Sequence, residues 1–369
     1  LLTFHRARNI GTNLQAFALQ EYLNSLGVKA EFIDYRPKYI EQDFGVFIRP
    51  LYEQAKTSLV SLAKFWLKTI VKLPFNMKRE YTFKQFRERY LSVSEEKFLT
   101  REEVLNSHLN YDYYFFGSDQ IWNPDLTDGL DLTFFGDFVK GRGKKISYAA
   151  SIGKNILTEC ELKKMVQAIE YLDVVGVREV SAANLLQNNT EKDIYVNIDP
   201  TLLIDSKAWR RFITKRIRND KYVFVYALEK NMNLINAAKQ IAKRKNLNVV
   251  FLDMKNYYGK RGRSYYSAGP VEFLNLLYYA DCVVTNSFHG TVFSMIFEKK
   301  FFSIPHKSRS TRVIDLLSEL GLSDRVVFEY SGKENIDSPI DYKRVNELLS
   351  IKRKKSEKYF SDNLDIETR

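Results

Sequence analysis

The residues Cys282-Val283-Val284-Thr285-Asn286-Ser287-Phe288-His289-Gly290-Thr291 are the most informative part of this chain. An apolar run, Cys282–Val284, leads into a short polar segment, and a helical pattern over Thr291–Glu298 follows it. This order predicts a buried strand, a tight turn and a helix, as in parallel α/β sheets. His289 would then lie beside the helix N-terminus, where backbone N–H groups and the helix dipole attract anions.

His289 has two interpretations at this position. It can hold a phosphate or carboxylate, or move a proton near neutral pH. A core or capping histidine fits the local sequence equally well, because a single histidine is a weak signal. The choice between them depends on the rest of the chain.

Length and composition indicate a folded protein of two domains. The chain has 369 residues, of which 45% are hydrophobic and 28% are charged. The two cysteines, Cys160 and Cys282, are far apart and predict neither a disulfide framework nor a metal site, which favours a cytoplasmic location. With four histidines and no cysteine cluster, we expect no zinc site. No apolar run reaches the roughly 18 residues of a membrane-spanning helix.

The formal net charge of +12 points to an anionic partner. Nucleic acid, an anionic small substrate and an anionic membrane surface are the three classes to consider. The basic residues are spread along the chain and no nucleic-acid motif is present, so we expect no nucleic-acid partner.

The first residues predict a β–α–β unit. Leu1–Phe4 has the pattern of a buried strand, Asn13–Leu26 is amphipathic at helical spacing, and Ala30–Tyr35 is a second strand. Gly27 would end the helix. Such a unit requires a parallel sheet.

Several further strands are predicted to end in polar residues. Because ligands of open α/β sheets collect at the carboxyl ends of strands, these residues are candidate site contributors. The strands and the residues that follow them are Tyr111–Phe116 before Gly117-Ser118-Asp119-Gln120, Lys145–Ala150 before Ser151-Ile152-Gly153, Val174–Val177 before Arg178-Glu179, and Tyr195–Ile198 before Asp199-Pro200.

A second β/α series begins near residue 206 and defines the domain organisation. We expect an N-terminal Rossmann-like domain over residues 1–205, a C-terminal one over 206–335, and a basic amphipathic helix within 336–369 that packs back on the first domain. The fold class is therefore α/β, with parallel sheets in two halves and a ligand cleft between them.

The segment 51–91 departs from this rhythm. Apolar residues from Leu59 to Val71 alternate with lysines, and a basic cluster from Lys78 to Arg89 follows. This pattern predicts a basic amphipathic helical insertion, which could lie on an anionic membrane. A helix that packs on the sheet with a solvated lysine face explains the same pattern.

Six motifs, in order, resemble those of the polysaccharide pyruvyl transferase family over roughly residues 1–330. They are Asn9–Leu19 (NIGTNLQAFAL), Gly117–Asn123 (GSDQIWN), Ser147–Ser151 (SYAAS), Val177–Glu179 (VRE), Asp199–Leu203 (DPTLL) and Thr285–Gly290 (TNSFHG).

The resemblance implies a fold similar to that of GT-B glycosyltransferases, with the acceptor on the N-terminal side and the donor on the C-terminal side. It implies transfer of a pyruvyl group from phosphoenolpyruvate to a hexose, which forms a cyclic ketal on a capsular, exopolysaccharide or cell-wall glycan. The acceptor could be lipid-linked, which would suit a peripheral location on the inner face of the membrane. No cofactor or metal is expected beyond the donor substrate.

The resemblance also suggests catalytic roles. His289 would bind the donor or act as general acid, Arg178 would clamp a carboxylate or phosphate, and Asp119 would be the base for the acceptor hydroxyl. Each has a structural alternative: a salt bridge to Glu179 for Arg178, and a turn or capping role for Asp119.

Substrate contacts are expected from two of the motifs. Gly11, Thr12 and Asn13 would bring donors to the cleft, although Thr12 or Asn13 could simply cap the first helix. Trp122 could stack on a sugar ring or be a buried aromatic residue. The other expected substrate-binding residues are Ser118, Asn123, Ser287, Phe288 and Gly290.

One position departs from the family pattern. Some members carry an arginine two residues before the histidine, where this chain has Ser287. The missing cation could come from residues after the strand Phe301–Ile304 or from an earlier basic pair. The candidates are Lys307, Arg309 and Arg312, or Arg261 and Arg263, and His5 and His306 are secondary candidates for the site.

Two other functions fit the sequence less fully. A GT-B glycosyltransferase that uses a nucleotide sugar would share the fold, but the Gly117–Asn123 motif and the absence of a second nucleotide fingerprint oppose it. A non-enzymatic module that binds anionic glycans would use the positive charge and would not need His289.

Overall fold

The structure is a computed structural model that describes residues 1–42, 59–154, 156–253, 265–305 and 310–365. Its helices are α1 (Ile10–Ser25), α2 (Lys38–Gln42), α3 (Leu59–Tyr90), α4 (Arg101–Leu105), α5 (Glu159–Ile169), α6 (Val180–Gln187), α7 (Ser206–Arg210), α8 (Met232–Lys245), α9 (Pro270–Tyr278), α10 (Phe288–Ile296), α11 (Thr311–Glu319) and α12 (Tyr342–Asn363). Its strands are β1 (Phe32–Tyr35), β2 (Val93–Phe98), β3 (Tyr113–Phe116), β4 (Lys144–Ser147), β5 (Val175–Val177), β6 (Ile194–Val196), β7 (Tyr222–Ala227), β8 (Asn248–Asp253), β9 (Cys282–Thr285) and β10 (Lys300–Ser303).

The N-terminal half contains three parallel strand pairs, β1–β2, β3–β4 and β5–β6. Backbone hydrogen bonds join the pairs: Leu2 N donates to Phe115 O (2.8 Å), and Ser147 N donates to Val174 O (3.0 Å). The predicted first strand is reduced to a single bridge at Leu2, which lies between β1 and β3. The chain leaves the sheet there because it turns at once towards α1, with Ala7 N bonded to Phe4 O.

The C-terminal half contains one four-stranded parallel sheet in the order β10-β9-β7-β8. Its central strands β7 and β9 are buried along their whole length. Strands buried on both faces have continuous apolar sequences, so the strands of this half could be predicted from their hydrophobic segments. The α/β class, with parallel strands in both halves, is confirmed.

Helix α1 begins earlier than predicted, at Ile10 rather than Asn13. Asn9 is the N-cap, and its side chain accepts hydrogen bonds from the backbone N–H groups of Gly11 (3.0 Å) and Thr12 (3.4 Å). Neither Thr12 nor Asn13 caps the helix, so the capping alternative for these two residues is wrong. Their place in the first turn leaves Thr12 available to the site.

The predicted basic insertion forms α3, a helix that runs through Pro74. Its second half packs in the core, where Phe83 and Phe86 are buried. The turns from Trp66 to Met77 expose large apolar side chains, namely Trp66, Leu67, Ile70, Phe75 and Met77. The packing interpretation therefore fits the C-terminal turns, the membrane interpretation stays a prediction, and residues 51–58 lie outside the described part of the chain.

Strand β2, which follows α3, is absent from the predicted elements. Its sequence, VSEEKF, lacks apolar alternation because five of its six residues are half-buried or exposed at the sheet edge next to β1. Charged residues are common on edge strands, where they hinder pairing with other chains.

The two halves share one hydrophobic core. Trp209 is fully buried and packs edge-on against Phe17 of α1 (5.6 Å between ring centroids) and Phe293 of α10 (4.8 Å). Helix α12 lies against the N-terminal half, where Phe360 stacks on Tyr148 (4.6 Å). The carboxyl ends of the strands of both halves consequently lie close together.

Candidate active site

The polar residues that follow four strands meet where the two halves touch. Asp119 follows β3, Arg178 follows β5, Asp199 lies after β6, and His289 is in the first turn of α10 after β9. All four are at least nine-tenths buried. The structure thus brings together the three predicted catalytic residues and adds Asp199.

His289 is fixed by groups from both halves. Its Nε2 lies 3.5 Å from Oδ2 of Asp199, without the alignment of a hydrogen bond. Its ring lies directly over the Cα of Gly11, since a Cβ atom there would be 2.0 Å from Nδ1. Gly11 is therefore needed for the close approach of α1 to the imidazole.

Asp199 links the histidine to the buried arginine. Its carboxylate accepts hydrogen bonds from Arg178 Nη1 (2.7 Å) and from the hydroxyl of Thr201 (2.6 Å). Burial opposes ionisation of this carboxyl, but the neighbouring charges of His289 and Arg178 outweigh it and hold the pKa of Asp199 well below its usual range. Asp199 is a fixed negative charge that orients both partners.

Arg178 is a buried cation with unused hydrogen-bonding capacity. Its Nε lies 3.4 Å from Glu179 Oε1, so the predicted salt bridge forms alongside the contact with Asp199. Burial alone would lower the pKa of Arg178, but Glu179 and Asp199 outweigh it and raise that pKa. Its Nη2 is buried and has no hydrogen-bond partner among the described residues.

Arg312 of α11 is a second cation beside Arg178. Both guanidinium groups lie over the ring of Phe288, at 5.6 Å for Arg312 and 4.8 Å for Arg178. Arg312 makes no hydrogen bond or ion pair within the described ranges. Burial, followed by repulsion from Arg178, lowers the pKa of Arg312 to about 10.

Of the cations proposed to compensate for Ser287, only Arg312 can be placed. Lys307, Arg309, Arg261 and Arg263 lie outside the described residues, as does His306. Phe288 is the first residue of α10, and its ring lies against the guanidinium groups of both Arg312 and Arg178.

Asp119 is held in an uncommon backbone conformation. Its φ of 83° is in the left-handed region, which non-glycine residues rarely adopt away from turns and functional sites. One carboxylate oxygen accepts from Gln120 N (2.8 Å), and the other accepts from the hydroxyl of Thr12 in α1. The predicted turn role and the predicted place in the site thus occur together.

Ser287 and Gly290 shape the start of α10. The Ser287 hydroxyl caps the helix by accepting from Gly290 N (3.3 Å). A Cβ atom at Gly290 would lie 2.3 Å from the hydroxyl oxygen of Thr285, at the end of β9. The tight strand-to-helix turn therefore explains why the TNSFHG segment has a serine at position 287 and a glycine at position 290.

A cavity of about 540 Å³ opens beside this cluster. Arg178, Asp199, Phe288 and Arg312 line one end of it, and α12 lines the other. His289 and Asp119 lie behind this end, closed off from solvent. Its size is within the usual range for small-molecule sites, roughly 300–1,000 Å³.

Comparison with known protein families matches residues 9–308 to the polysaccharide pyruvyl transferase family. This span contains every residue of the buried cluster and excludes only Arg312 of the paired arginines. The chain belongs to the polysaccharide pyruvyl transferase family. Membership makes it an enzyme of pyruvyl transfer to polysaccharide.

Comparisons with curated proteins and with solved structures do not identify a more specific function for this pyruvyl transferase. Comparison with curated proteins finds no significant match. A UDP-N-acetylglucosamine 2-epimerase from Rickettsia bellii is similar over 95% of both chains, at 9% sequence identity and a TM-score of 0.45. A similarity this low carries no argument about function.

Four of the predicted substrate-binding residues lie away from the cavity. Trp122 is fully buried, stacks on Phe135 (4.8 Å) and offers no free face to a sugar. Asn123 and Asn13 hold turns through hydrogen bonds to Gln120 (3.0 Å) and to the carbonyl of Ala7 (2.7 Å). The fourth is Ser118, whose carbonyl accepts from the hydroxyl of Thr3 (2.6 Å).

Tyr226 was missed from the sequence, and Asp199 was predicted only as a candidate contributor at a strand exit. Nothing local showed that Asp199 would meet His289, 90 positions later. Tyr226 is the penultimate residue of β7, and its buried hydroxyl has no well-aligned hydrogen-bond partner among the described residues. Its pKa is raised by burial, so this tyrosine stays neutral next to the cluster.

No three His, Cys, Asp or Glu side chains in the described segments converge in a way that could hold a metal ion. None of the helices in those segments combines the length and apolarity needed to span a bilayer. His5, the other secondary candidate, is buried beside Asp34 (3.7 Å) and away from the cavity lining.

Proposed function

We propose that this enzyme transfers a pyruvyl group from phosphoenolpyruvate to a hexose of a bacterial-type surface polysaccharide or its lipid-linked precursor, and that the product is a cyclic ketal. One observation carries the proposal. Arg178 and Arg312 both face Phe288, at 4.8 and 5.6 Å, and both retain unused N–H donors at the end of a cavity beside His289.

This pair of cations suits the donor. Phosphoenolpyruvate carries a carboxylate and a phosphate, and a guanidinium group can bind either through two parallel hydrogen bonds. Asp199 and Glu179 both contact Arg178, whereas Arg312 makes no direct ion pair in the described residues. The unused Nη2 of Arg178 and the guanidinium of Arg312 therefore offer hydrogen-bond donors to an anion at the same end of the cavity.

The chemistry needs a proton donor and a base. In the proposed sequence His289, held by Asp199, protonates the methylene carbon of the donor, which becomes the methyl group of the ketal. One acceptor hydroxyl bonds to the adjacent carbon, the bond from that carbon to the phosphate oxygen breaks, and a second hydroxyl closes the ring. Each hydroxyl loses its proton: Asp119 takes one and the departing phosphate takes the other, and return of a proton from Asp119 to His289 restores the enzyme. No cofactor or metal enters this scheme.

The decisive test is release of phosphate from phosphoenolpyruvate with a panel of lipid-linked or aryl hexosides. We expect acceptor-dependent release by the wild type and a loss of at least about 100-fold in Arg312→Ala, as for removal of other groups that stabilise developing charge. His289→Ala and Arg178→Ala should lose as much. Arg142→Ala, on an exposed turn, should retain full activity.

Two outcomes would contradict the proposal. Full activity of folded Arg312→Ala would remove the role of the paired arginines. Absence of release with every acceptor, together with tight binding of a uridine or guanosine diphosphate, would favour the glycosyltransferase alternative. Circular dichroism of each variant separates a lost function from a lost fold.

We also propose that α3 places the enzyme on an anionic membrane, which would suit a lipid-linked acceptor. In the first half of the helix the side chains of Leu67 and Ile70 are 64% and 62% exposed. Met77 lies two turns beyond Ile70 on the same face and is also exposed. Lysines alternate with these apolar residues in the sequence. Apolar insertion combined with attraction to anionic lipids is the usual basis of interfacial helix binding.

A further inference from the structure

The far end of the 540 Å³ cavity has no role in the donor site described above. It lies between the edge strand β6, helix α11 and helix α12, and so at the junction of both halves with the C-terminal helix. The donor, with a carboxylate and a phosphate on three carbons, would fill only the end next to Arg178 and Arg312. The remaining space is large enough for a second ligand group.

The charges of the cavity differ between its two ends. Five basic and five acidic side chains line it. At the α12 end Lys352 contacts Glu319 (2.8 Å) and Lys358 contacts Asp362 (2.7 Å), while Lys355 has no ion pair among the described residues. Most charges of that end are therefore paired with one another, and the end is rich in hydrogen-bonding groups, which suits a polyhydroxyl ligand.

An aromatic ring forms one wall of this end. Tyr195 of β6 is 46% exposed, although it lies beside a pocket rather than on an isolated surface. Its ring is supported edge-to-face by Tyr359 (5.4 Å), whose own hydroxyl is fixed to the carbonyl of Ser147 (2.6 Å). A supported ring with a free face is suited to stack on the C–H face of a sugar.

We infer that the α12 end of the cavity binds the acceptor hexose, with the sugar stacked on Tyr195. This inference rests on the proposed function and specifies its acceptor site. The hexose would present its two reacting hydroxyls towards the donor at Arg178 and Arg312. Tyr195 takes the role that the sequence suggested for Trp122.

The test compares Tyr195→Ala with Tyr195→Phe and with Tyr171→Ala, a similarly exposed tyrosine remote from the cavity. In steady-state pyruvyl transfer, Tyr195→Ala should raise the acceptor KM at least fivefold and leave the phosphoenolpyruvate KM within twofold of wild type. Tyr195→Phe, which keeps the stacking ring, should restore the acceptor KM. In Tyr171→Ala both KM values should equal those of the wild type.

An acceptor KM that changes less than fivefold in Tyr195→Ala would overturn the inference while leaving pyruvyl transfer intact. Saturation-transfer NMR with a panel of methyl hexosides gives a readout that needs no turnover. Loss of the hexoside signal in Tyr195→Ala supports the acceptor site even if the donor assignment fails. An unchanged signal, or none from the wild type, counts against it.

Discussion

Single residues in this enzyme act through contacts that span the chain. His289 of the C-terminal half rests on Gly11 of the N-terminal half and faces Asp199. Asp119 is tied to Thr12, 107 positions away. Both contacts involve the first turn of α1, so this turn positions the two groups that we assign to proton transfer.

Gly11→Ala tests that positioning. The new methyl group would occupy the place of the imidazole and push His289 away from Asp199. A misplacement of about 1 Å can cost on the order of 100-fold in rate, and we expect a loss of that size in kcat. Alanine is the better helix former, so the variant should fold normally by circular dichroism.

The matched control is Gly141→Ala, where an added Cβ meets no atom within 4 Å. We expect unchanged kcat for this variant. Wild-type activity in Gly11→Ala would mean that His289 can move without consequence, and its assignment as proton donor would then be wrong.

Among the elements, α3 combines two environments in one helix. The turns near Phe83 and Phe86 pack in the shared core, and Tyr266 of the C-terminal half bonds to Asn76 (2.6 Å). The turns near Leu67 and Ile70 expose their apolar side chains. The buried half holds the helix to the body of the protein, and the exposed half projects an apolar face.

The double substitution Leu67→Glu with Ile70→Glu should reduce binding to anionic vesicles at least tenfold in a flotation assay. Two carboxylates remove apolar contact and add repulsion from anionic lipids. Ile351→Glu on α12, which is 56% exposed, is the control and should bind like the wild type. Equal vesicle binding by all three proteins would remove the membrane proposal.

For the whole molecule, the junction of the two halves is an aromatic cluster around Trp209. This residue contacts α1 and α10, and its indole N–H donates to the carbonyl of Thr201 (3.1 Å). Thr201 is two residues after Asp199, so the aromatic cluster lies next to the buried site. Its packing links the stability of the two halves to the geometry of the site.

Trp209→Ala should lower the free energy of unfolding by about 3–5 kcal/mol, the usual cost of removing a large buried aromatic side chain. Urea denaturation followed by circular dichroism measures this change. Trp209→Phe should lose less, because it keeps most of the ring contacts. A loss below about 1 kcal/mol in the alanine variant would show that the halves do not depend on this cluster.

Local patterns predicted most of the fold but not its edges or caps. Apolar runs identified β9 and β10 within one residue at each end, because parallel strands are buried on both faces. The cap at Asn9 and the edge strand β2 were missed. A cap depends on where the chain turns, and an edge strand depends on the strand beside it.

The sequence by itself determined the α/β class and the family, and it identified His289, Asp119 and Arg178, because strand exits and motif order are local properties of the chain. Only the tertiary structure decided that Asp199 joins them, that Arg312 accompanies Arg178, and that Trp122 is buried while Tyr195 faces a cavity. Burial and pairing depend on which distant residues pack together, and spacing along one chain carries no record of those distances.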